Sequence, residues 1–167
     1  DIVKLYVKKG YRVFVERGIG IGANFLDVDY ENAGAAVSSV MLEILSDADI
    51  ILKVQPTPLI DQFNEIDMAK EGATIIGLMS PYSNIEYLEK AASRKLSTVA
   101  MELVPRVTKA QGMDALSSQS NLAGYRAVIE ASYYFDRAFP MMMTAAGTIN
   151  PAKTLVLGIG VAGLQAI

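Results

Sequence analysis

The chain has 167 residues, a net charge of −3 at neutral pH and a hydrophobic content of 51%. That length can bury a core in one domain with part of a second, and the charge marks no nucleic-acid or acidic-membrane binder. Cys and His are both absent, which excludes disulfides, thiolate catalysis, sulfur-ligated zinc and Ser-His chemistry, so any reaction rests on other polar side chains or a cofactor.

In chain order, residues 1–9 (DIVKLYVKK) place Ile2, Leu5 and Tyr6 on one helical face, with Gly10 to end the helix. YRVFVE (11–16) is β-branched and alternating, and reads as a strand; RGIGIGANF (17–25) reads as a loop. VDYENAGA (28–35) reads as a short helix ending at Gly34, followed by a link of variable character, and LEILSDAD (42–49) as another helical turn. DIILKVQ (49–55) reads as a buried strand stopped by Pro56 and Pro58. IDQFNEIDMAKEG (60–72) is amphipathic and ends at Gly72; ATIIGLMS (73–80) is a strand stopped by Pro81. NIEYLEKAASRK (84–95) reads as a helix with Asn84 as its N-cap, and STVAMELV (97–104) as a strand stopped by Pro105. Strands and helices in alternation predict an α/β fold: a Rossmann-like parallel sheet with helices on both faces and ligands beyond the carboxyl ends of the strands.

The pattern then changes. PRVTKAQGMDALSSQSN (105–121) reads as a long polar loop entering a helix that spans roughly Met113 to Phe139. Leu122, Tyr125, Ile129 and Tyr133 form an apolar stripe on it, and Arg126 and Glu130 pair at i, i+4. PMMMTAAGTINPA (140–152) reads as a link, KTLVL (153–157) as a strand, and GIGVAG (158–163) as a glycine turn opening a helix. No run of about 18 apolar residues suggests a membrane helix. Because the chain opens on Asp1 inside what reads as a helix, and closes inside what reads as a dinucleotide-binding unit, it reads as a piece cut at both ends.

Several stretches could carry chemistry. In GIGVAG, Gly158 permits the tight turn, Gly160 close approach of a pyrophosphate, and Gly163 close packing of helix on strand. The competing reading is a tight turn without a ligand. GIGIGA (18–23) lacks the third glycine in register and reads as mostly structural. The stretch 104–118 gathers Arg106, Lys109, Gln111, Asp114, Ser117 and Ser118. These side chains suit a carboxamide and ribose, or form a solvated loop in which Asp114 or Ser117 caps the following helix. Lys53, inside an apolar strand, either contacts an anionic ligand or keeps its ammonium in water at the sheet edge, the second reading being slightly preferred. The Met141–Met143 run reads as packing or a flexible contact surface. No metal site is expected.

MELVPRVTKAQGMDALSSQSNLAGYRAVIEA (101–131) and FPMMMTAAGTINPAKTLVLGIGVAGLQAI (139–167) closely resemble the alpha subunit of proton-translocating NAD(P) transhydrogenases, in their soluble NAD(H)-binding component, which is similar in fold to alanine dehydrogenase. The resemblance covers essentially the whole chain. It implies residues 1–112 as an N-terminal Rossmann-like domain truncated at its start, 113–150 as a connecting helix and linker, and 151–167 as the truncated start of an NAD-binding Rossmann domain. It implies that Arg106, Gln111 and Asp114 hold and orient the nicotinamide and that Ser117 binds its carboxamide. Gly158, Ile159, Gly160, Val161 and Gly163 then cradle the pyrophosphate. No side chain is required as acid or base. Gly112 stands where many relatives carry serine.

The implied reaction is hydride transfer between NADH here and NADP+ on a separate NADP(H)-binding component, with protons moved by a membrane proton-channel component. A homodimer, peripheral on the cytoplasmic side of a bacterial membrane or in the mitochondrial matrix, is part of the same implication. An alanine dehydrogenase is the enzyme alternative; Lys53 fits a lysine of its substrate site, but the histidine expected near GLMSP (77–81) is absent. A fragment that binds no cofactor is the remaining alternative.

Overall fold

The computed structural model describes residues 1–59 and 64–167. They form two compact units, Asp1–Ala100 and Met101–Ile167.

The first unit alternates helix and strand. Helix α1 (Ile2–Lys8) ends where Gly10 takes φ +90°. Strand β1 (Phe14–Glu16) leads through a 3-10 turn (Ile21–Ala23) to α2 (Asp27–Asn32), and Gly34, at φ +93°, turns the chain into β2 (Ala36–Ser38). Helix α3 (Met41–Ser46) and β3 (Ile50–Leu52) follow, then α4 (Glu65–Met68), β4 (Thr74–Gly77), α5 (Ile85–Ser93) and β5 (Ser97–Ala100). Every strand pairing here is parallel, as the alternation predicts: β1 with β2, and β3-β4-β5 in that order.

Four differences from the sequence reading appear in this unit. The parallel strands form two ladders, with α3 packed against both β1 and β2 and also against α4. The stretch that reads as a variable link contains β2, which is three residues long and owes its existence to the backbone of β1. Strand β3 is buried on one face only: Ile51 is enclosed, whereas Ile50 and Leu52 are 53% and 57% exposed, because successive side chains point to opposite faces. Strand β5 stops at Ala100, and Met101–Leu103 is a 3-10 turn. The amphipathic reading of 60–72 falls partly on residues 60–63, outside the described residues; beyond them α4 occupies Glu65–Met68.

One core holds β3, β4 and their helices together. Leu45, Ile51, Ile66, Ile75, Met79 and Tyr87 meet in it. Helix α5 contributes Tyr87 and Ala91, four residues apart and on one face. Asn84 stands at its N-cap position as expected, but its amide donates to the Met79 carbonyl rather than serving as a side-chain cap.

The second unit contains a 3-10 helix (Thr108–Met113) where the sequence suggests a loop, then α6 (Ala115–Tyr134), shorter than the predicted span. Residues 140–152, expected as a link, include an antiparallel hairpin of β6 (Met142–Thr144) and β7 (Gly147–Ile149). Residues 153–157 join no ladder, and Leu155 and Leu157 are 82% and 87% exposed. A strand exists only beside another strand's N–H and C=O groups, and none lies alongside among the described residues. The glycine turn does open a helix, α7 (Val161–Ala166).

The predicted stripe of α6 does not face a core. Leu122, Tyr125, Ile129 and Tyr133 are all exposed, and the buried residue of α6 is Gly124. Helix α6 packs on α7 by backbone approach at that glycine, so a large apolar side chain has no place in the contact. The predicted Arg126–Glu130 ion pair is present.

Candidate functional site

The polar stretch acquires its shape from the start of α6. Asp114 is the N-cap: its carboxylate accepts the Ser117 backbone N–H at 2.9 Å and the Ser117 hydroxyl at 2.6 Å. These bonds to Ser117 hold the Asp114 carboxyl below its ordinary range, and the positive charge of Arg106 adds to the effect. Asp114 is therefore ionised near neutrality, and Ser117 is fixed in one orientation. The capping alternative is thus realised at Asp114. Arg106 and Gln111 are exposed.

The glycine turn is built by backbone constraints. Gly158 has φ +105°, a conformation that favours glycine. A Cβ on Gly163 would collide with the Gly158 carbonyl, and a Cβ on Gly124 of α6 would collide with the Ala162 carbonyl. The first turn of α7 is thus clamped between the turn that precedes it and helix α6. At Gly160, by contrast, a Cβ would meet nothing within 4 Å. Gly160 is the N-cap of α7 and supplies no side-chain cap, so the first N–H groups of the helix are left for another acceptor. Ile159 is 80% exposed and Val161 is 42% exposed.

Helix α6 carries both sets. Asp114 caps its start, and Gly124, ten residues on and roughly 15 Å along the axis, seats α7. The sequence reading misses Gly124, although a signal for it exists: a glycine inside a long helix costs about 1 kcal/mol relative to alanine and usually answers a packing need.

The first unit holds a separate polar cluster. Lys53 follows β3 directly, and its ammonium lies 2.9 Å from Glu65 Oε2 and donates to the Thr57 hydroxyl. The preferred reading, a lysine with its ammonium in water, is thereby corrected: a buried carboxylate offers the charge a partner that water at the sheet edge does not. Glu65 is 2% exposed. Its other oxygen accepts the Tyr87 hydroxyl at 2.7 Å and the Thr57 N–H at 3.0 Å. Oε2 has the lysine charge without an aligned hydrogen bond. Burial pushes the Glu65 carboxyl up, but Thr57, the Lys53 ammonium beside it and the Tyr87 hydroxyl together outweigh burial and bring it to about 2. Burial, reinforced by the Glu65 charge, raises the Tyr87 phenol above its ordinary value. The sequence singles out neither Glu65 nor Tyr87; they stand 22 residues apart and only the fold joins them. Among the described residues no cluster of acidic side chains could hold a metal ion, and no helix is long and apolar enough to cross a membrane.

A parallel α/β unit, followed by a capped helix that seats a glycine turn and a second helix, defines the class: an α/β protein with the opening of a dinucleotide-binding unit. Two family models match, "Alanine dehydrogenase/PNT, N-terminal domain" over residues 1–123 and "Alanine dehydrogenase/PNT, C-terminal domain" over residues 127–167. The chain belongs to the alanine dehydrogenase/PNT family. In Rickettsia prowazekii, the first of the pieces that make up NAD(P) transhydrogenase subunit alpha is 64% identical over all of this chain, which covers 44% of that protein. The crystal structure of transhydrogenase from Sinorhizobium meliloti superposes with a TM-score of 0.89 at 51% identity, over 98% of this chain and 48% of that one. An L-alanine dehydrogenase structure superposes with a TM-score of 0.79 at 25% identity, over 98% of this chain and 44% of that one. The chain thus spans less than half the length of these relatives.

Proposed function

We propose that the chain forms the NAD(H)-binding part of a proton-translocating NAD(P) transhydrogenase. The observation that carries this reading is the pair of polar sets mounted on α6: a capped Asp114–Ser117 start with Arg106 and Gln111 beside it in sequence, and the Gly158–Gly163 turn seated at Gly124. The identity of 64% to a transhydrogenase subunit supports it.

The donor set suits NAD(H). The uncapped first turn of α7, with open space at Gly160, fits a pyrophosphate; the backbone at Gly158, Ile159, Gly160, Val161 and Gly163 would hold it. Arg106, Gln111 and Asp114 would hold the nicotinamide end, and Ser117 its carboxamide. When bound, the nucleotide would supply the hydride for NADP+ on a separate component. The protein's share is orientation: the Asp114–Ser117 bonds fix both groups before the nucleotide arrives, so little ordering remains to be done on binding. No acid or base is needed, which suits a chain without His or Cys. An NADP(H)-binding component, a membrane proton-channel component and a second copy of the subunit are the partners in this reading. The protein is peripheral, on the cytoplasmic side of the membrane or in the mitochondrial matrix. Residues 1–112, 113–150 and 151–167 serve as first domain, connection and start of the NAD-binding domain.

The alanine dehydrogenase reading is weaker. Lys53 is engaged by Glu65, and no histidine exists to act beside it. The test uses the complete protein with its NADP(H)-binding component. Hydride transfer from NADH to NADP+ is expected, with no NADH oxidation dependent on pyruvate and ammonium. Turnover with pyruvate and ammonium contradicts the proposal.

A further inference from the structure

We propose that the cavity where the end of α6 meets the chain leaving β7 is a binding site for a small organic phosphate, held by Arg137, Asn150 and Lys153. The inference stands on the second unit alone and does not rest on the transhydrogenase reading.

The cavity measures about 300 Å³, at the lower end of the range for small-molecule sites. Backbone bonds fix its shape. Helix α6 ends at Phe135, whose extended backbone turns the chain off the helix, and the Arg137 N–H donates to the Phe135 carbonyl at 2.8 Å. The Ala152 N–H donates to the Phe139 carbonyl at 2.9 Å, tying the chain beyond β7 back to the end of α6. Phe135 and Phe139 meet edge to face, with ring centroids 5.5 Å apart. Phe135, Arg137, Asn150 and Lys153 line the cavity, and no acidic side chain does so among the described residues.

The chemistry of the lining selects the ligand. Arg137 and Lys153 are exposed, and neither makes an ion pair among the described residues. The side-chain donors of Arg137, Asn150 and Lys153 are likewise without hydrogen-bond partners among those residues. Two positive charges lining one cavity repel unless an anion stands between them. A phosphate has three acceptor oxygens directed apart, enough for the guanidinium fork, the ammonium and the amide at once. A carboxylate presents two in one plane, which suits the fork but reaches fewer of the donors. Phe135 gives the organic part an apolar surface. An anionic membrane is the poorer occupant, since its recognition takes clusters of about 4–8 cations. The negative end of the α6 dipole accounts for a cation at Arg137. It does not account for a second cation and an amide brought to the same cavity by residues 150–153.

The test is thermal unfolding of the complete protein with phenyl phosphate as probe, at constant ionic strength. NADH is kept saturating, so that the glycine turn at 158–163 does not report. The wild-type Tm is expected to rise saturably with phenyl phosphate, at a half-saturating concentration roughly tenfold below that of benzoate. Arg137→Gln and Lys153→Gln should each raise that concentration roughly tenfold or more. Without probe their Tm should match wild type, since both side chains are exposed. A wild-type Tm indifferent to phenyl phosphate overturns the proposal, as does a rise that survives both substitutions or that benzoate matches. A substitution that lowers Tm without altering the response to the probe also overturns it, and leaves the cation as a partner of the α6 terminus. None of these readouts involves hydride transfer, so failure here is distinct from failure of the transhydrogenase reading.

Discussion

In the first unit, Lys53, Thr57 and Tyr87 direct their charge and hydrogen bonds at the buried Glu65 carboxylate. In the second, Arg106 and Gln111 lie exposed, and α7 starts on a glycine that caps nothing. The difference separates a polar group kept for the fold from one kept for a ligand. A cluster whose members are turned toward one another has little left to offer a ligand; an open set of donors around a rigid turn has more. Only Asp114 and Ser117 belong to both kinds, since they bond to each other and still sit at the start of an accessible helix.

Breaking the closed cluster should have the largest effect on stability. Lys53→Met strands Glu65 as a buried unpaired charge and is expected to cost about 3 kcal/mol in denaturant unfolding. Glu65→Gln in the same molecule should restore most of it, and a loss no larger than that of an exposed lysine would show the pair to be dispensable. Acid reads the same cluster. Glu65 is depressed from an ordinary 4.5 to about 2. Its contribution, at most about 3 kcal/mol, is therefore complete above the ordinary value and is lost as pH falls through the folded one. Unfolding free energy measured from pH 5 down to 2 should fall less steeply in Glu65→Gln than in wild type.

The open region should respond in binding before stability. Gly163→Ala drives a Cβ into the Gly158 carbonyl. A strain of about 1–3 kcal/mol on the turn predicts NADH affinity weakened roughly tenfold to a hundredfold in the complete protein, read by fluorescence titration. Undiminished affinity would separate the turn from the nucleotide. The smallest change is expected at Gly112, whose Cβ position is open space. Gly112→Ser should stay within about 0.5 kcal/mol in thermal unfolding, the glycine there answering no backbone demand.

The contrast also explains what the sequence can and cannot tell. Strand–helix alternation, with Pro and Gly as stops, carries its own local signal, and the parallel α/β fold of the first unit follows from it. So does GIGVAG, whose glycines answer a turn and a close packing. Strand β2 is not legible because its three residues become a strand only beside β1. The hairpin at 142–149 is hidden for the same reason. The stripe on α6 misleads because apolar periodicity says that a face exists, not that something covers it; the packed face is marked by Gly124 instead. Asp114 is legible both as a cap and as a site residue, since one carboxylate can serve each role. Glu65 and Tyr87 are invisible as a pair, because neither residue type nor spacing announces a contact made across the core.

The most direct test is Gln111→Ala in the complete protein with its NADP(H)-binding component. Gln111 is exposed, so its removal should leave Tm unchanged. If the stretch before α6 orients the nicotinamide, hydride transfer from NADH to NADP+ should slow by roughly tenfold to a hundredfold. Transfer at the wild-type rate would contradict the account and leave the stretch as a helix cap alone.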